Sequence, residues 1–90
     1  MAITFSIRFM DENDDPIDGA NVKIYDIGIL GQTYHGFTDG DGWAEFEVYN
    51  VSGLDIGEVS VSKGVNSLGT VECDLHFEDG DTASITVPDA

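Results

Sequence analysis

The stretch Thr38-Asp-Gly-Asp-Gly-Trp-Ala-Glu-Phe-Glu-Val48 constrains the fold of this chain more than any other. Its first half is turn chemistry, because Asp-Gly pairs supply the positive φ angles that a tight hairpin demands. Its second half alternates, with Ala44, Phe46 and Val48 on one face and Trp43, Glu45 and Glu47 on the other. Period-two alternation after such a turn predicts a strand with one face buried.

The same pattern recurs along the chain. Ile3, Phe5, Ile7 and Phe9 alternate with Thr4, Ser6 and Arg8 and predict a first strand. Met10 to Gly19 is a polar turn containing Pro16, after which Ala20, Val22 and Ile24 point inward while Asn21, Lys23 and Tyr25 point out. Residues 26–32 carry two glycines among apolar residues and read as an irregular crossing. Gln32 to Thr38 is a weaker third strand, and the hairpin Asp39–Gly42 leads into the fourth. Tyr49 to Gly57 reads as a loop, with a sequon at Asn50 that only a secretory route would use. Val59 and Val61 mark a fifth strand that ends near Lys63 and Gly64. Val71, Cys73, Leu75 and Phe77 mark a sixth. Glu78 to Asp81 is a second hairpin turn, and Ala83, Ile85 and Val87 form a seventh strand. Nothing repeats at helical spacing over three turns. The expectation is an all-β chain: one domain over residues 1–90, a seven-stranded Greek-key β-sandwich of immunoglobulin or prealbumin-like type.

Charge narrows the function classes. Eighteen acids face three bases (Arg8, Lys23 and Lys63), a formal charge of -15 on 90 residues. Self-repulsion of that size opposes compaction unless salt screens it or cations bind. The Debye length falls from about 10 Å at 0.1 M salt to about 3 Å at 1 M, so concentrated salt removes most of the cost. Aspartate outnumbers glutamate twelve to six, and only two lysines are present. An acidic, lysine-poor surface around an ordinary apolar core fits a protein from a high-salt organism. Direct binding to nucleic acid is not expected, since that needs clustered Lys and Arg. No secretory signal and no apolar run long enough for membrane insertion is found. Cys73 is the only cysteine and reads as a small buried hydrophobe.

The run from Asp11 through Pro16, Gly19 and Ala20 to Val22, followed by Thr38 to Phe46, resembles the carboxypeptidase regulatory-like domains. Leu54-Asp-Ile-Gly-Glu-Val-Ser-Val61 resembles that family's glycine turn into its next strand, with Val59 where an aromatic is usual. The resemblance covers about residues 3–64 and implies a seven-stranded prealbumin-like (transthyretin-like) sandwich acting as a non-catalytic accessory, adhesive or structural module. It carries over no catalytic residue.

Chemistry-bearing residues are sparse. Asp11, Asn13 and Asp15 have the alternate spacing of an EF-hand loop, but Pro16 stands where that loop requires Gly, and Val22 stands at its closing position. Asp39, Asp41 and Glu45 make a weak calcium site only if the turn folds their oxygens together. His35 and His76 are too far apart in sequence for a zinc pair. No Gly-x-Ser-x-Gly elbow occurs. No cofactor other than calcium at this weak site is expected, and the chain is read as not an enzyme. Trp43 and Tyr25 fall on outward strand phases and, with Tyr34 and Tyr49, are the candidate interface residues.

A lone acidic sandwich without catalytic motifs is expected to act by docking, through protein partners in a homo- or hetero-oligomeric assembly. The expectation is a structural virion protein, capsid-decorating or tail accessory, of a virus of salt-loving archaea, assembled in the host cytoplasm. Two alternatives are an adhesion module that binds surface glycan or protein through the Trp43 face, and an acidic mimic of DNA that occupies a basic protein.

Overall fold

Alternation in the first residues becomes β1 (Ala2–Met10), whose Ile3, Phe5, Ile7 and Phe9 are buried one residue in two. In the computed structural model, which describes residues 1–27 and 31–88, six more strands follow. They are β2 (Asn21–Asp26), β3 (Thr33–Phe37), β4 (Trp43–Tyr49), β5 (Leu54–Lys63), β6 (Asn66–Phe77) and β7 (Thr82–Thr86). No helix occurs among the described residues. The strands form two sheets, three-stranded β4-β1-β7 and four-stranded β3-β2-β5-β6. All neighbours are antiparallel except β1 and β7, which run parallel.

Both sheets contribute to one core, as expected of a β-sandwich-like arrangement. At its centre Phe5 stacks on Phe46 with ring centroids 5.5 Å apart and on Phe77 at 4.5 Å, so three aromatics from both sheets share one contact. Ile17, from the turn after β1, and Leu54 and Ile56 also enter the core. The alternation did not point to these three. In turn, Val71, Cys73, Leu75 and Ala83, expected inside, are only half-buried against it. The reason is geometric. β6 is a twelve-residue edge strand, and the opposite sheet ends in the five-residue β7.

Two expected hairpins are inter-sheet corners. The turns at Asp39–Gly42 and Glu78–Asp81 join β3 to β4 and β6 to β7, and each pair lies in different sheets. Turn chemistry specifies how the chain reverses, not which strand it then pairs with. At the first corner the Phe9 N–H donates to the Gly42 carbonyl at 2.7 Å, drawing β4 onto β1 instead of β3. The tight hairpin is elsewhere, between β5 and β6, where Lys63 pairs with Asn66 around Gly64 and Val65. The expected loop 49–57 is shorter, since β5 begins at Leu54. Its burial phase runs through Leu54 and Ile56, skips at Gly57, and resumes at Val59 and Val61, with a register shift against β6 at that point. This bulge hid the first half of the strand. Of the expected crossing at 26–32, residues 28–30 lie outside the described residues.

Candidate binding face

The four candidate aromatics are not brought together. Trp43 and Tyr49 lie on the outer face of β4, Trp43 half-buried opposite Arg8 and Tyr49 66% exposed. The Tyr49 hydroxyl donates to Glu47, and this bond to a carboxylate raises the phenol above its ordinary value. Tyr25 sits half-buried on the outer face of β2. Tyr34 takes the inward phase of β3 and packs against the core, with its hydroxyl donating to Gln32 at 3.1 Å. Burial first, and Asp26 second, push its ionisation up. Tyr34 is therefore a core-packing residue more than a surface one.

The acidic turns use their carboxylates locally. Asp39 Oδ1 accepts the N–H groups of Asp41 (2.9 Å) and Trp43 (3.0 Å), while the Asp41 carbonyl accepts Arg8 Nε at 3.0 Å. Glu45 stands on the outer face of β4 opposite Ser6. Asp11 Oδ1 likewise accepts from Asn13 and Asp15. Among the described residues no group of three or more His, Cys, Asp or Glu side chains is arranged to hold a metal ion.

The two histidines differ. His76 Nδ1 lies 2.8 Å from Asp55 and its Nε2 lies 3.1 Å from Glu78, so its pKa is raised above 6.5, by the Asp55 hydrogen bond first and Glu78 second. Cys73, half-buried, directs its thiol to the Ile56 carbonyl, and burial raises its pKa, with Asp74 and Glu58 adding to the effect. His35 belongs to a different setting. It pairs with Lys23 across the β2–β3 ladder, on the outer face of the four-stranded sheet. A cleft of about 370 Å³ opens there, lined by Asn21, Lys23, His35, Phe37 and Ser62 over the backbone of Val22 and Gly36.

Register explains the cleft. Phe37, Asn21, Ser62 and Ser67 form one row across β3, β2, β5 and β6, and His35, Lys23, Ser60 and Thr70 form the next. Gly36 turns inward between Phe37 and His35, where a Cβ would stand 2.8 Å from the Phe46 ring. The close approach keeps β3 low against the core and leaves Phe37 69% exposed beside the cleft. Neither row contains an acid. The third row, Thr33, Tyr25, Glu58 and Glu72, restores the acidic surface. The sequence held a signal for this window: residues 27–38 and 59–71 contain no Asp or Glu in a chain with eighteen acids.

No protein-family model matches the chain, and no curated protein matches it in sequence. In fold it is similar to part of a 9R-lipoxygenase from Cyanothece PCC8801, with a TM-score of 0.58 and 13% identity over 97% of this chain. It is also similar to part of the Bacillus anthracis TIE protein, with a TM-score of 0.52 and 19% identity over 97% of this chain. In both cases the chain spans 16% of the other protein's length, and the likeness is one of fold alone.

Proposed function

We propose that this chain is a non-catalytic docking module of a larger assembly, adapted to concentrated salt. The observation that carries this reading is the state of its charges. Eighteen acids stand against three basic side chains, and the ion pairs among the described residues are those of His76 with Asp55 and Glu78. Arg8 Nε donates to a backbone carbonyl, and neither lysine has a carboxylate partner among the described residues. A surface this acidic, with so little internal compensation, relies on counter-charge from its surroundings.

Placement of the titratable groups supports a non-catalytic role. Tyr34, Tyr49, Cys73 and His76, whose ionisation is shifted, lie on separate parts of β3, β4 and β6 and share no site. Lys23 and His35 share a cleft whose lining includes no carboxylate. The fold class proposed is a Greek-key sandwich of immunoglobulin or prealbumin-like type, supported by the parallel β1–β7 pair and the strand orders. The resemblance to carboxypeptidase regulatory-like domains supports the same reading. The setting proposed is a capsid-decorating or tail accessory role in a virion of a virus of salt-loving archaea. Its support is the surface charge, with Trp43 and Tyr49 on the outer face of β4 as the contact to a protein partner.

Light scattering combined with unfolding across a KCl series tests the reading. A chain that unfolds in dilute buffer and is folded or assembled in molar KCl supports it. A stable monomer at every salt concentration overturns it, since the charge would then have no bearing on folding or assembly.

A further inference from the structure

Among the described residues, the outer face of the four-stranded sheet brings Lys23, His35, the exposed ring of Phe37 and the polar pair Asn21 and Ser62 together around a concavity. We propose that the cleft between β3 and β2 binds an acidic sugar ring, a uronate carried on an otherwise uncharged saccharide. The assignment does not depend on the assembly reading and concerns the sheet face opposite to the one that carries Trp43.

Charge selects a carboxylate. Lys23 has no acidic partner among the described residues, although the chain carries eighteen acids. Directly across the β2–β3 ladder stands His35, whose ring offers a further donor at hydrogen-bonding reach of the same face. The lining contains no Asp or Glu. One carboxylate therefore meets an ammonium and an imidazole without a competing intramolecular anion, which is the setting for short charge-assisted hydrogen bonds.

Phe37 and the polar pair select a sugar. Phe37 is 69% exposed on the outward phase of β3, free on the cleft side to meet the C–H face of a pyranose. Asn21 and Ser62, adjacent across β2 and β5, both donate and accept, as ring hydroxyls require. A cleft of about 370 Å³ is at the small end of ligand sites, the scale of a sugar unit rather than a long chain. Phe37 and Val22 are the apolar side chains of the lining and Val22 is buried, so the cleft lacks the continuous apolar wall that a lipid tail needs.

A polyanion fits this window poorly. In dilute salt the net charge of -15 repels a nucleic acid or a heavily sulfated polymer, and in concentrated salt a lining with one lysine lacks the clustered Lys and Arg that such polymers need. An isolated carboxylate on a neutral scaffold meets the Lys23 ammonium and a ring donor of His35 at short range, where salt screens the attraction less than it screens the distant acids.

The test is titration of the ¹⁵N-labelled chain with glucuronic acid and with methyl glucoside, in KCl sufficient to keep it folded, followed by calorimetry with a glucuronate-containing disaccharide. Expected are shifts confined to β2, β3 and the Ser60–Ser62 segment with the uronate, and at least about tenfold weaker binding of the neutral sugar. Lys23→Gln and Phe37→Ala each weaken uronate binding about tenfold, while Trp43→Ala leaves it unchanged. Both substituted side chains point outward, so retained unfolding midpoints separate lost binding from lost structure. The proposal is overturned if shifts centre on β4, if methyl glucoside binds as well as the uronate, or if Phe37→Ala has no effect. It is also overturned if short poly-glutamate binds equally tightly, which would make the window a charge-only dock for acidic peptides.

Discussion

Aspartate does two jobs in this chain, and only one of them is surface charge. Asp11, Asp39, Asp79 and Asp81 all accept backbone N–H groups with their carboxylates: Asp11 and Asp39 within their own turns, Asp81 from Glu78, and Asp79 from Thr4 of β1 at 2.9 Å. Aspartate is short enough to reach its own backbone in this way, and this local use accounts for part of its excess over glutamate. Thr38 acts similarly from a buried position. Its Oγ1 accepts the Ala20 N–H at 2.8 Å while its own N–H donates to the Ala20 carbonyl at 3.0 Å. Thr38→Val keeps the volume and removes the acceptor, leaving a buried N–H unpaired. The expected cost is about 1–3 kcal/mol, read from denaturant midpoints in molar KCl. His76 gives a pH signature of the opposite kind from an acid. Its folded pKa is raised by Asp55 and Glu78, so the pairing stabilises the fold fully below about 6.5 and fades as pH rises through the folded value. The His76 ring resonances are expected to titrate above 6.5, and the stability difference between wild type and His76→Gln is expected to shrink toward zero at alkaline pH. A His76 midpoint below 6.5 would contradict this.

Among the elements, β3 fits closely against the Phe46 ring of β4. Its inward phase carries Tyr34 and Gly36 instead of aliphatics, because the Phe46 ring of β4 already fills the space that a side chain at position 36 would need. Gly36→Ala places a methyl 2.8 Å from that ring and is expected to cost about 1–3 kcal/mol with an unchanged denaturant slope. The same change should shift Phe46 and Phe5 resonances, since their rings stack at 5.5 Å. This close fit also explains which parts of the molecule were readable beforehand. β1 and β4 were, because Ile3 to Phe9 and Ala44 to Val48 bury alternate residues without interruption. The start of β5 was not, because the bulge at Gly57 shifts the buried phase from even to odd positions in mid-strand. Sheet membership was not readable either: an Asp-Gly turn looks the same whether it closes a hairpin or turns a corner between sheets. The cleft stayed hidden because Lys23, His35 and Phe37 come from two strands whose register sets their neighbours, and β3 alternates too weakly to fix that register alone. Trp43, in contrast, was visible as an outward aromatic and is found on the outer face of β4.

Over the whole molecule, charge repulsion and turn chemistry pull on the same residues in different directions, and salt separates them. Glu58 and Glu72 are directly opposed across β5 and β6, a like-charge pair that costs stability wherever it is not screened. Asp39 is also negative, but its carboxylate holds two backbone N–H groups. Glu72→Gln is therefore expected to stabilise the chain in the lowest KCl at which it folds, by about 0.2–1 kcal/mol, and to have almost no effect in molar KCl, where the Debye length is about 3 Å. Asp39→Ala should destabilise at every salt concentration, because a lost acceptor for two N–H groups is not restored by screening. Unfolding midpoints for the two variants across one KCl series check both statements at once. If Glu72→Gln were neutral at low salt, repulsion between the opposed acids of β5 and β6 would not weaken the fold. If instead the two curves diverge at low salt and only the Asp39→Ala deficit persists at high salt, the acids divide by position: those on strand faces weaken the fold until they are screened, and those in turns help to build it.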